Sequence, residues 1–187
     1  EIYTLSLHDA LPILFPGFVD VHVHLREPGF SYKETIRTGS MAAAHGGYTT
    51  VCAMPNLNPV PDSPTHLAQE LELIRRDAVV RVLPYGAITR DERGEQLADM
   101  AAMVPQAVAF SDDGRGVQSR GMMRAAMLAE ETGARVHICH ISTAKAVDIV
   151  RRMKEHGVPV TCETCPQYFT LTEDEILTQG SLARINP

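Results

Sequence analysis

Strand-like and helix-like stretches alternate along nearly the whole of this chain, and that regularity limits the folds open to it more than any other property. Short β-branched, apolar runs predict strands at Phe18–Leu25, Tyr48–Ala53, Val79–Ala87, Ala107–Phe110, Arg135–Ile141 and Val158–Cys162. Between them, amphipathic stretches predict helices over Lys33–His45, Pro64–Asp77, Glu95–Met103, Ser119–Thr132 and Thr143–His156. Ser63 is placed to cap the second of these, with Pro64 at its first helical position, and Gly46-Gly47 and Gly157 stop their neighbours. Strands and helices in strict alternation with short connections make a parallel sheet. Right-handed crossovers then bring the C-terminal ends of all its strands to one rim.

Polar residues gather at those ends. His22, His24 and Arg26 close the first strand, Asn56 follows the second, Asp112 and Asp113 follow the fourth, and His140 lies at the end of the fifth. His22 and His24, two residues apart, project from one face of their strand, with Asp20 and Arg26 on the same side. Such a group in an otherwise buried apolar strand is costly unless a metal or an anion occupies it. Three histidines and a carboxylate suit Zn²⁺, which lowers the pKa of bound water toward about 7. Arg26 offers a planar fork of donors for a carboxylate, and Asn56 can donate beside it. The bland alternatives are a turn for Asp112-Asp113-Gly114, a packed side chain on the opposite strand face for His137, and solvated positions for His45, His66, His156, Lys33 and Arg37.

Composition narrows the class. At 187 residues and 44% apolar content the chain can bury a sizeable core, yet it is short for a (β/α)8 barrel, which takes about 250 residues. A net charge of −6 gives no reason to expect a nucleic-acid or anionic-membrane partner, and no apolar run approaches the roughly 20 residues of a bilayer span. The first residues lack the basic start of a secretory signal. Cys52, Cys139, Cys162 and Cys165, scattered through strand-like segments, fit reduced thiols in the cytoplasm better than a disulfide framework.

The run Asp20-Val-His22-Val-His24-Leu-Arg26-Glu-Pro28-Gly29 resembles the first metal-binding motif of dihydroorotase, in the cyclic amidohydrolase family that also holds allantoinases and dihydropyrimidinases. The likeness continues through Glu34-Thr35, Gly39-Ser40, Gly46-Gly47 and Thr49-Thr50-Val51 to Met54-Pro55-Asn56, and Arg26 and Asn56 favour dihydroorotase over the other two. It implies a metal-dependent amidohydrolase (β/α)8 TIM barrel over residues 15–187, with residues 1–14 an unassigned segment unlike the family. It implies two Zn²⁺ ions, with His22 and His24 on one, Asp113 as the bridge and His140 on the second; Asp113 is preferred to Asp112 by family position alone. Arg26, Asn56 and Asn186 would contact substrate, dihydroorotate or N-carbamoyl-L-aspartate, interconverted in the de novo pyrimidine pathway to UMP. A homodimer and association with aspartate transcarbamoylase are the assemblies the likeness leaves open.

Two departures from the family set further expectations. Between Ala126 and Arg135 one helix runs into the strand carrying His140, where the family has a further βα unit with an Ala-His-Cys-Glu motif. The sequence also stops at Pro187, short of the family segment holding the catalytic acid/base, so no residue here is assigned that role. The expectation is an incomplete barrel, lacking one internal βα unit and the C-terminal strands, with impaired activity. The competing readings are a non-catalytic dihydroorotase-like subunit of an aspartate transcarbamoylase complex and an allantoinase- or hydantoinase-like cyclic amidase.

Overall fold

The computed structural model describes residues 16–115, 131, 133–172 and 174–183. Apart from Glu131, the expected helix at Ser119–Thr132 lies outside them, as do Asn186 and the N-terminal 1–14 segment. Strands β1 (Phe18–Val23), β2 (Tyr48–Ala53) and β3 (Arg81–Pro84) form a parallel sheet in that order. Strands β4 (Val136–Ile138) and β5 (Val160–Cys162) pair in parallel as well. Phe110 joins the two sheets through parallel bridges to Gly86 on one side and Val136 on the other. The Phe110 N–H donates to Arg135 O at 3.0 Å, and the His137 N–H donates to Phe110 O at 3.0 Å. The strand-like segments therefore run in one parallel array, β1, β2, β3, the Phe110 segment, β4 and β5.

Helix α1 (Ile36–His45) follows β1, α2 (Pro64–Asp77) follows β2, α3 (Met100–Met103) precedes the Phe110 segment, and α4 (Ala144–Glu155) links β4 to β5. Beyond β5 come short helices α5 (Pro166–Thr170) and α6 (Glu175–Gln179). Local chemistry fixes the boundaries. α2 starts where Ser63 Oγ accepts the His66 N–H and Pro64 supplies a preset φ. α1 begins later than Lys33 because Thr35 and Thr38 form a reciprocal cap, each side chain accepting the other's backbone N–H. The helix expected from Glu95 begins only at Met100, capped by Asp99, because the preceding backbone is spent in a turn: the Arg90 N–H donates to Gln96 O and the Ala98 N–H to Ile88 O.

One apolar cluster, including Leu67, Met103, Phe110, Val136, Val150 and Val160, packs under the later strands. A second, Leu25, Ile36, Val51, Ala53 and Val82, fills the space beneath β1 to β3. β1 itself departs from expectation. Phe18 and Val19 are 58% exposed and Val21 46%, because β1 ends the array and only β2 pairs with it among the described residues.

Candidate metal centre

His22 and His24 meet at the end of β1. Their Nε2 atoms are 3.3 Å apart, and Asp113 Oδ2 lies 3.5 Å from the first and 3.4 Å from the second. A tetrahedral ion with bonds of about 2.0–2.2 Å holds its donor atoms about 3.3–3.6 Å apart. The three atoms thus already have the spacing of one tetrahedral face. Asp113 is 4% exposed, and its Oδ1, which has no hydrogen-bond partner, sits 3.4 Å from His140 Nδ1. An orphaned buried carboxylate oxygen facing imidazoles is what a cation would satisfy. The residues present fit a metal ion.

The two adjacent aspartates have separate jobs. Asp112 accepts the backbone N–H groups of Ile88 at 2.8 Å and Thr89 at 3.0 Å, with the Thr89 hydroxyl as a third donor. It pins the turn after β3. Asp113, one residue on, is left free to face His22, His24 and His140. His140 reaches it because its backbone takes a left-handed φ of 53° just past β4, turning the side chain toward the rim. Strand parity therefore does not carry from His137 to His140.

Two residues outside the expected ligand set also enter the site. Glu163, just past β5, places Oε1 2.5 Å from His22 Nδ1, while its Oε2 is 3.2 Å from His137 Nε2. His137 is a buried core histidine as expected, but it is turned toward this same carboxylate, with Thr161 Oγ1 2.8 Å from its Nδ1. Burial opposes charge on His22, but hydrogen bonds to Asp113, Cys139 and Glu163 outweigh it and push its pKa up to about 12. Burial would likewise raise Glu163, but hydrogen bonds from His137 and His22 hold it down at about 2. For His24, burial and then the Arg26 charge lower the pKa.

A cavity of about 520 Å³ opens beside these donors, lined by His24, Asp113 and His140 together with Arg26, Lys33 and Arg115. Asn56 lines it too, donating from Nδ2 to Glu92 Oε1 at 3.1 Å and to the Asp113 carbonyl at 2.6 Å, while its buried Oδ1 has no hydrogen-bond partner. The loop that carries Arg26 is packed tightly against the next one. Gly29 has φ +97°, and a Cβ there would lie 2.3 Å from the Asn58 carbonyl oxygen, so only glycine fits.

The Dihydro-orotase-like family model matches residues 12–132. A dihydroorotase of Fusobacterium nucleatum is 40% identical over 224 residues, taking in 91% of this chain and 53% of that protein. This chain belongs to the dihydroorotase-like family. A second dihydroorotase, from Ligilactobacillus salivarius, is 39% identical over 229 residues, with 94% of this chain and 53% of that protein covered. The chain spans about half the length of the curated relatives it matches. The first aligned stretch, 224 residues, exceeds the chain's own 187, so the relative has positions with no counterpart here. The L-hydantoinase of Arthrobacter aurescens shares the fold of this dihydroorotase-like chain, with a TM-score of 0.61 at 20% identity over 92% of this chain and 52% of that one.

Proposed function

We propose that this chain carries the metal-binding half of a dihydroorotase, the zinc-dependent enzyme that interconverts dihydroorotate and N-carbamoyl-L-aspartate in pyrimidine biosynthesis. The observation that carries the reading is the triangle of His22 Nε2, His24 Nε2 and Asp113 Oδ2, with edges of 3.3–3.5 Å, beside a cavity whose wall holds Arg26. His22, His24 and Asp113 would hold one Zn²⁺, and His140 with Asp113 Oδ1 would serve a second. Zinc held there would supply Lewis acidity toward the ring carbonyl and an activated water. The chain's own residues do the rest. Arg26, whose fork matches a carboxylate, orients the substrate, and Lys33 and Arg115 add positive charge to the wall facing an anion. Hydrolysis adds the elements of water across the ring amide C–N bond, leaving a carboxylate and a neutral ureido NH2, with one proton released to solvent.

The direct pairing of the Phe110 segment with β4 supports reading the fold as a TIM barrel that lacks one internal βα unit. The unmatched positions in the relatives support it too. A non-catalytic subunit would have no use for four converging ligand side chains, so the enzyme reading is preferred. The test is an assay of the purified chain with Zn²⁺, following N-carbamoyl-L-aspartate formation from dihydroorotate, alongside metal analysis. The expected result is bound zinc with turnover that a chelator abolishes, at a rate below that of an intact relative. A chain that retains no zinc overturns the reading.

A further inference from the structure

Glu163 has no role in the reading above, yet it is among the most firmly held polar groups at the rim. Both its oxygens are engaged: Oε1 by His22 Nδ1 at 2.5 Å and Oε2 by His137 Nε2 at 3.2 Å. His137 is itself anchored by Thr161 Oγ1 at 2.8 Å from Nδ1, and its ring lies against Tyr85 with centroids 5.9 Å apart. The proton positions follow from this chain of partners. An ionised carboxylate only accepts, so both imidazole nitrogens facing it must donate. A neutral His137 then has its proton on Nε2, and its Nδ1 accepts the Thr161 hydroxyl. A His22 with its proton on Nδ1 has its Nε2 lone pair directed at the triangle it makes with His24 and Asp113.

We propose that Glu163 is the positioning residue that locks His22 in the Nδ1–H tautomer and so fixes its Nε2 as a metal donor, with His137 and Thr161 holding Glu163 in turn. The inference rests on the metal centre described above. Two donors on one tetrahedral ion stand about 3.3–3.6 Å apart, and the 2.5 Å between Glu163 Oε1 and His22 Nδ1 is a direct hydrogen-bond contact instead. Toward His22 the distance fits this role rather than ligation, whereas Glu163 Oε1 also stands 3.6 Å from His140 Nε2, the spacing of two ligands on one ion, so the two roles part at the metal stoichiometry. Ligating histidines commonly give their second N–H to a carboxylate, and loss of that partner lowers metal affinity by about 10–100-fold. The arrangement has a topological side as well. Glu163 follows β5 and His22 sits in β1, so this bond links the two ends of the array across the rim.

The test titrates the purified chain with Co²⁺, reading affinity, stoichiometry and the visible spectrum, for the parent, Glu163→Gln and His137→Asn. Glu163→Gln is expected to keep the parent stoichiometry, to bind Co²⁺ 10–100-fold more weakly and to shift the ligand-field bands; His137→Asn should weaken binding less. Equal affinity and spectrum in parent and Glu163→Gln overturn the role of Glu163 alone, as does the loss of one whole equivalent of metal, which would make it a ligand. A parent that binds no Co²⁺ overturns the metal centre itself. A measurement independent of folding in the variants is the ¹⁵N spectrum of the zinc-loaded parent, where the proton of His22 is expected on Nδ1; a proton on Nε2 overturns the proposal.

Discussion

At the scale of single residues, the site is built from charges that burial disfavours and that neighbours then fix in one protonation state. Glu92 shows this away from the ligands. It is 3% exposed, its backbone holds φ 54°, and burial followed by the negative charge of Asp112 pushes its pKa up to about 7, against the pull of the Asn56 hydrogen bond. A carboxyl whose pKa is near 4.5 when unfolded and near 7 when folded binds its proton more tightly in the fold. Its contribution to stability is therefore complete below about pH 4.5 and is lost as pH rises through 7. Glu92→Gln keeps an acceptor for Asn56 without the charge. In metal-free protein it should match the parent near pH 4.5 and exceed it by about 3 kcal/mol at pH 8, at about 1.4 kcal/mol per pKa unit; parallel pH curves from urea melts would count against this account. The sequence showed His22, His24, the Asp112-Asp113 pair and His140 as a group because strand ends share a rim in a parallel fold, and family position alone preferred Asp113. It did not show Glu163, because no pattern within β5 says that its end lies against β1. The separate work of Asp112 and Asp113 was equally hidden, since it depends on which of the two meets the backbone of Ile88 and Thr89.

At the scale of elements, boundaries were readable wherever a local residue enforces them. α2 runs Pro64–Asp77 and β2 runs Tyr48–Ala53 as their caps and glycines indicate. The expected strand at Ala107–Phe110 shrinks to bridges at Phe110, and β4 and β5 to Val136–Ile138 and Val160–Cys162, because apolar content marks burial while ladder length depends on partners elsewhere in the chain. α2 also contains a residue its own pattern does not explain. Glu70 lies one turn after Leu67 on the buried face, is 2% exposed, and its Oε2 has no hydrogen-bond partner. Burial raises its pKa well above the usual carboxylate range, so the side chain is kept neutral at a cost. Glu70→Met retains length and helix propensity while removing the polar atoms. Chemical denaturation at pH 7 should show a gain of about 1–3 kcal/mol, the usual cost of an unsatisfied buried polar group. A loss of stability would mean that the carboxyl is satisfied in solution.

For the whole molecule, what stands out is the contrast between the two ends of the parallel array. At the β5 end, Glu163 reaches back across the rim to His22. At the β1 end, Val19 and Val21 lie exposed on one strand face, and the strand's outer edge has no backbone partner among the described residues. An open, apolar edge strand is a template for a further strand, and natural edges are usually blunted by charge, proline or a bulge. β1 carries irregular register with β2 between Asp20 and Val23, yet its exposed face has valines and no lysine. The isolated chain should therefore self-associate through β1 as its concentration rises, each buried valine contributing about 1.5 kcal/mol or more, or about tenfold in the association constant. Sedimentation velocity over a wide concentration range reads this directly. Val19→Lys combined with Val21→Lys puts two charges on the same face without touching His22 or His24, so it should shift the chain toward monomer by two orders of magnitude or so while leaving Co²⁺ binding unchanged. If the parent is monomeric at every concentration, or the lysine variant associates as strongly as the parent, β1 is not the adhesive edge.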